Sequence, residues 1–104
     1  MKQDFEKAVY WYKEAIRHGD LQYAPSSLGD IYRKGQENVE RNPTLAIEAY
    51  KISTDPYAWF RLGQSYEEGW TAVPDMQKAM EYYEMAAARG HHLALKRLKC
   101  IKKS

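Results

Sequence analysis

One spacing governs this chain. Ala24, Leu28, Gly29, Tyr32 and Gly35 recur as Ala58, Leu62, Gly63, Tyr66 and Gly69, each displaced by 34 residues. A period of this size is that of a helical hairpin, a unit that cannot bury its own apolar face and so has to stack on a neighbour. A third, partial copy follows in Ala94 and Leu98, where Lys99 and Lys102 replace the Gly and the Tyr. We call these segments type A.

A second pattern, type B, alternates with the first. Between Asp4 and His18 the apolar residues Phe5, Ala8, Val9, Tyr12, Ala15 and Ile16 recur at intervals of three and four, which is one face of an α-helix, and Gly19 supplies the stop. Met76, Ala79, Met80, Tyr83, Ala86 and Ala87 repeat that face 71 residues later, with Gly90 in the place of Gly19. A weaker middle copy contains Asn42, Ala46 and Tyr50, with Pro43 suited to the first turn after an Asn cap.

The order B, A, B, A, B, A predicts helices over residues 4–18, 22–34, 43–53, 56–68, 75–89 and 92–102, in one domain of residues 1–104. No alternating apolar run and no Asn-Gly or Asp-Gly turn speaks for β-structure. Tyr50 and Ala58 are eight positions apart, against twelve for Tyr12 and Ala24. A helical turn is therefore missing before Asp55-Pro56, and the stack is expected to bend differently there. Gly29 and Gly63 inside helices each cost about 1 kcal/mol relative to Ala, so they mark close approach of a neighbouring helix. Ala8, Ala46 and Ala79 are the expected small positions opposite them. The core bulk is expected from Trp11, Tyr12, Tyr32, Tyr50, Tyr66, Tyr82 and Tyr83.

Asp75, Lys78, Ala79, Tyr82, Tyr83, Ala86, Ala87, Gly90 and Ala94 together resemble the Sel1-like repeat, a relative of the tetratricopeptide repeat. Asp4, Lys7, Ala8, Trp11, Tyr12, Ala15 and Gly19 are similar to the same pattern, and Leu28-Gly29, Tyr32 and Gly35 to its other helix. The resemblance implies an all-α chain, a short right-handed α-solenoid of about three helix pairs, that binds a protein or peptide partner. In the related tetratricopeptide geometry the A helices line the concave side. That geometry would place Tyr23, Ser26, Asp30, Arg33 and Lys34 in a groove with Tyr57, Phe60, Gln64, Glu67 and Glu68, followed by Leu93, Lys96 and Cys100. Tyr23, Tyr57 and Phe60 are either partner anchors or core. Neither end looks like a polar capping repeat, so self-association through the terminal helices is also expected. The paired cysteines of the family's cysteine-rich branch are absent, and its association with penicillin binding is not carried over.

The net charge of +2 hides an asymmetry: ten basic and fourteen acidic residues precede Arg89, whereas residues 89–104 hold six basic residues and no acidic one. Arg89, Lys96, Arg97, Lys99, Lys102 and Lys103 form a basic patch that offers the alternative reading, nucleic-acid or acidic-surface binding. Basic residues at a helix C-terminus also complement the helix dipole, which makes nucleic acid the lesser expectation. A single cysteine, Cys100, excludes a disulfide framework and is expected to be a partly buried helix residue. Acidic residues interrupt the first twenty positions, unlike a signal peptide, and no apolar run approaches the roughly 18 residues of a membrane span. A cytoplasmic protein away from membranes is expected. His91 and His92 are adjacent at a turn and cannot share a helix face for a metal with Cys100. No Gly-rich phosphate loop is present, and Glu67-Glu68 and Glu81 with Glu84 read as solvated helix surface. No metal, no cofactor and no catalysis are expected.

Overall fold

The computed structural model describes residues 5–36 and 39–102. It contains α1 (Phe5–Arg17), α2 (Tyr23–Lys34), α3 (Pro43–Ile52), α4 (Pro56–Glu68), α5 (Met76–Ala88) and α6 (His92–Lys102). No strand occurs among the described residues, where the one β-type feature is a pair of backbone hydrogen bonds exchanged by Gln36 and Val39. The chain divides after Asp55 into two compact units, α1–α3 and α4–α6.

Helix ends follow from local chemistry. The Asn42 side chain accepts from the Leu45 N–H at 3.1 Å with Pro43 in the first turn, and Asp75 accepts from the Lys78 N–H at 3.1 Å. Both satisfy an N–H group that the first helical turn leaves without a partner. Asp75 and Arg89 are caps, so α5 is one residue shorter at each end than the periodicity alone suggests. Gly35 and Gly69, equivalent in the 34-residue register, have φ of 73° and 68°, a left-handed backbone that favours glycine directly after a helix.

In the first unit α2 packs against both α1 and α3. Its core consists of Ala24, Leu28, Ile31 and Tyr32 from α2 and Ala46, Ala49 and Tyr50 from α3. The shortened helix α3 has 10 residues against 13 in α1 and α5. Its exit is stitched to the α1–α2 connection: Ser53 Oγ donates to the Gln22 carbonyl at 3.1 Å, and the Thr54 N–H donates to the Leu21 carbonyl at 2.7 Å. In the second unit α5 packs against α4 and α6, burying Ala79, Tyr83 and Ala86 with Ala58 and Leu62 of α4 and Ala94 and Leu98 of α6.

Three expectations about burial fail. Trp11 is 65% exposed, and α1 has no buried residue. The positions equivalent to Trp11 in α3 and α5, Ala49 and Tyr82, are buried and half-buried, and α3 and α5 each pack on the type A helix that precedes them. Cys100 is exposed. Ser26 does not face a groove: it is buried, with its hydroxyl donating back to the Gln22 and Tyr23 carbonyls at 3.0 and 3.1 Å.

Candidate functional site

The A-type helices were expected to carry the binding surface, and their repeated glycines are where its geometry starts. A Cβ placed on Gly29 would lie 2.5 Å from Tyr50 Cε1, and one on Gly63 would lie 2.6 Å from both Cδ1 and Cε1 of Tyr83. Each glycine therefore makes room for the tyrosine ring of the following B-type helix, where an alanine partner was expected. At Gly63 an expected alanine also approaches, through the Ala79 carbonyl at 3.1 Å. Both rings are almost fully enclosed, so each hydroxyl needs a partner. The Tyr50 hydroxyl donates to Asp30 Oδ1 at 2.5 Å and accepts from Arg33 Nε at 3.2 Å. The Tyr83 hydroxyl donates to Glu67 Oε1 at 2.6 Å. Burial pushes the Tyr83 hydroxyl up to about 12; the negative charge of Glu68 adds to the rise and Arg61 opposes it.

These bonds decide what the expected groove residues are available for. In the first unit Asp30 and Arg33 are half-buried and serve Tyr50, while Tyr23 and Lys34 are exposed. In the second unit Glu67 is held by Tyr83 and by the Arg97 guanidinium, whose Nε lies 2.9 Å away and whose Nη2 makes a second, bidentate contact. Tyr57 accepts from Arg61 Nε at 3.0 Å, and Gln64 accepts from Arg61 Nη1 at 2.6 Å while donating to Glu68 at 3.1 Å. Phe60 is half-buried, its ring stacked on His91 at 5.2 Å between centroids and tilted against Tyr83 at 5.8 Å. His91 accordingly belongs to a ring cluster, and its Nδ1 accepts from the Ala94 N–H at 3.4 Å at the start of α6. No group of three metal-ligating side chains occurs among the described residues.

Two openings in the second unit share Phe60 and Arg97, one of about 320 Å³ lined also by Gln64, Glu67, Glu68 and Tyr83 and one on the α6 side. The opening on the α6 side is a cavity of about 270 Å³ lined by Phe60, Leu93, Lys96, Arg97 and Cys100. Leu93 is 52% exposed, and Lys96 and Cys100 are also exposed. Phe60, Leu93, Lys96 and Cys100, all expected on one side, line this opening together. Within the first unit sequence reasoning missed an apolar cavity of about 230 Å³ among α1, α2 and α3, lined by Ile16, Leu28, Tyr32, Leu45, Ala49 and Ile52, with Lys13 and Glu48. Its one sequence signal is apolar Leu45 and Ile52 on either side of the middle tyrosine.

The basic patch divides in two. Arg97 is committed to Glu67, and the Arg89 guanidinium lies over the Trp59 ring at 5.3 Å. Lys96, Lys99 and Lys102 are exposed, and Lys103 lies outside the described residues. Trp70 is half-buried, with its indole N–H donating to Glu68 at 2.8 Å.

The Sel1 repeat family model matches residues 1–20, 26–51 and 56–91. This chain belongs to the Sel1 repeat family. A Sel1 repeat protein from Oxalobacter formigenes is 33% identical with a TM-score of 0.85, over 97% of this chain and 42% of that one. The antigen c5321 of uropathogenic Escherichia coli, which displays an SLR fold, is 27% identical with a TM-score of 0.75, over 83% of this chain and 19% of that one. Mouse (Mus musculus) DAP3-binding cell death enhancer 1 is 30% identical over 96 residues, 92% of this chain and 19% of the mouse protein. The chain spans less than half the length of each relative. The Sel1 repeat assigns it to the all-α helical-repeat class, whose members are generally non-catalytic protein–protein interaction modules. No helix among the described residues is long and apolar enough to cross a membrane.

Proposed function

We propose that this Sel1-repeat chain is a non-catalytic module of the cytoplasm that binds a protein or peptide segment through the type A helices. The observation that carries the reading is the opening between α4 and α6, where Phe60 and Leu93 give an apolar floor and Lys96 a cationic rim. Aromatic and aliphatic anchors beside a single charge suit an extended or helical segment with one bulky apolar residue and a nearby carboxylate. Tyr57 extends the proposed surface within the second unit, and Tyr23 and Lys34 are exposed on the type A helix of the first. Within their own units Asp30 and Arg33 hold Tyr50, and Gln64 and Glu67 hold Arg61 and Tyr83, which fixes the type A helices that carry the surface. The mouse relative is by name a protein that binds another protein, which supports the same class of partner.

Selection of peptides from a random display library on the immobilised chain tests this. Selected sequences are expected to combine a large apolar residue with Asp or Glu, to slow alkylation of Cys100, and to lose binding to a Leu93→Ala, Lys96→Glu variant. Peptides that bind that variant unchanged would contradict the site. Retention on heparin that collapses with Lys99→Glu and Lys102→Glu, with no peptide selected, would instead favour the basic-patch alternative.

A further inference from the structure

The apolar cavity of the first unit has no part in the surface proposed above, and its walls follow a repeated spacing. On α1, Glu6, Val9, Lys13 and Ile16 succeed one another at intervals of three, four and three, which is one stripe of a helix. Asn42, the cap of α3, and then Leu45, Ala49 and Ile52 have the same intervals. Both helices pack on α2, and the two stripes flank a channel floored by Leu28 and Tyr32 of α2. Ile16, Ala49 and Ile52 line one part, the cavity of about 230 Å³. Glu6, Val9 and Asn42 line a second part of about 330 Å³, and the two adjoin at Tyr32 and Leu45, which line both. A stripe of this kind, ten residue steps along a helix, is about 15 Å long.

Shape and charge together specify what such a channel takes. Leu45 and Ile52 remain 37% and 45% exposed, so apolar surface is left for an occupant to cover. The walls are helix faces, which present no row of free N–H and C=O groups to an extended strand. A helix satisfies its own backbone polar groups and can be laid on them at no such cost. Charge then selects the helix. Glu6 and Glu40 line one end and Glu48 lines the α3 wall, against one lysine, Lys13, on the α1 wall. None of these three carboxylates has an ion-pair partner among the described residues. We infer that the α1–α3 channel docks an amphipathic helical segment of a partner protein, about three turns long. Its apolar residues, at i, i+3 or i+4 and i+7, cover Leu45 and Ile52, and a Lys or Arg meets Glu6 and Glu40. The rim has the opposite sign to that of the α4–α6 opening, where Lys96 stands, so the two sites discriminate their ligands by charge.

The probe is a display library of randomised peptides on a helical scaffold, selected on the full chain carrying Leu93→Ala and Lys96→Glu, which disables the α4–α6 opening. Selected helices are expected to carry an apolar stripe flanked by Lys or Arg, and to bind at least about ten-fold more weakly once Leu45→Ala and Ile52→Ala are added. Repeating the selection on a Glu6→Lys, Glu40→Lys variant should replace the basic residues with Asp and Glu. All four altered positions are exposed, and circular dichroism checks native helicity. The charge-reversal variant decides the matter if the alanine variant fails to fold. No enrichment, or enriched helices indifferent to either change, would overturn the inference. A dimer of the unaltered chain that Leu45→Ala with Ile52→Ala abolishes would overturn it in favour of a second copy.

Discussion

The two units solve the same problem with opposite assignments of charge. In both, a helical glycine admits a tyrosine ring whose buried hydroxyl needs an acceptor. In the first, the carboxylate is Asp30, one residue after Gly29, and the guanidinium of Arg33 comes from the same helix. In the second, the position equivalent to Arg33 is Glu67, which supplies the carboxylate, and the guanidinium arrives from α6 as Arg97. The polar lock of the first unit is therefore closed within two helices, whereas that of the second ties three together. The ring-in-slot packing is common to both units, and the polar residues around it are exchangeable as long as the hydroxyl stays paired.

The largest effects should come from the shared element. Tyr50→Ala and Tyr83→Ala each remove a fully enclosed ring and are expected to destabilise by about 3–5 kcal/mol in urea titrations. Gly29→Ala and Gly63→Ala come next. Where an exposed helical glycine gains about 1 kcal/mol on change to Ala, these two should lose about 1–3 kcal/mol because the new methyl overlaps the ring. Glu67→Gln and Asp30→Asn sharpen the difference between units. Each is expected to cost about 1–3 kcal/mol by weakening a charged hydrogen bond, but only the first should speed hydrogen exchange in the neighbouring helix α6. Arg97→Ala should give the smallest loss, about 1 kcal/mol or less, since its side chain is 46% exposed and water screens much of the pair's attraction.

A pH titration isolates the Tyr83 joint of the second unit. Burial raises its pKa above the usual value, so the folded state holds the proton more tightly than the unfolded chain does. The associated stability is complete below about 10, the unfolded value, and is lost as pH rises through about 12. Near-ultraviolet phenolate absorbance should show a late-ionising component that Tyr83→Phe removes, and Glu68→Gln should bring that ionisation to lower pH.

What the sequence revealed and what it hid separate along the same line between local and tertiary causes. The cap at Asn42 and the helix ends at Gly35 and Gly69 were legible, because each depends on a few neighbouring residues. The glycines were legible as points of close approach, but the ring that fills them was not, since that needs the facing helix. Trp11 shows the same limit from the other side. Its spacing matches that of Ala49 and Tyr82, and periodicity cannot tell whether a helix covers the face. Of the candidate site, Phe60, Leu93, Lys96 and Cys100 line one opening and Phe60, Gln64 and Glu67 another, but Asp30, Arg33 and Glu67 looked like free groove charges until the tyrosine hydroxyls were placed beside them.

The central claim is that the repeated glycine exists to admit the tyrosine ring. A double-mutant cycle of Gly63→Ala with Tyr83→Ala measures it, with all four proteins unfolded by urea in the same concentration of a stabilising osmolyte. The account predicts a change of sign: Gly63→Ala destabilises when Tyr83 is present, and is neutral or stabilising once the ring is gone. An equal loss in both backgrounds would contradict it.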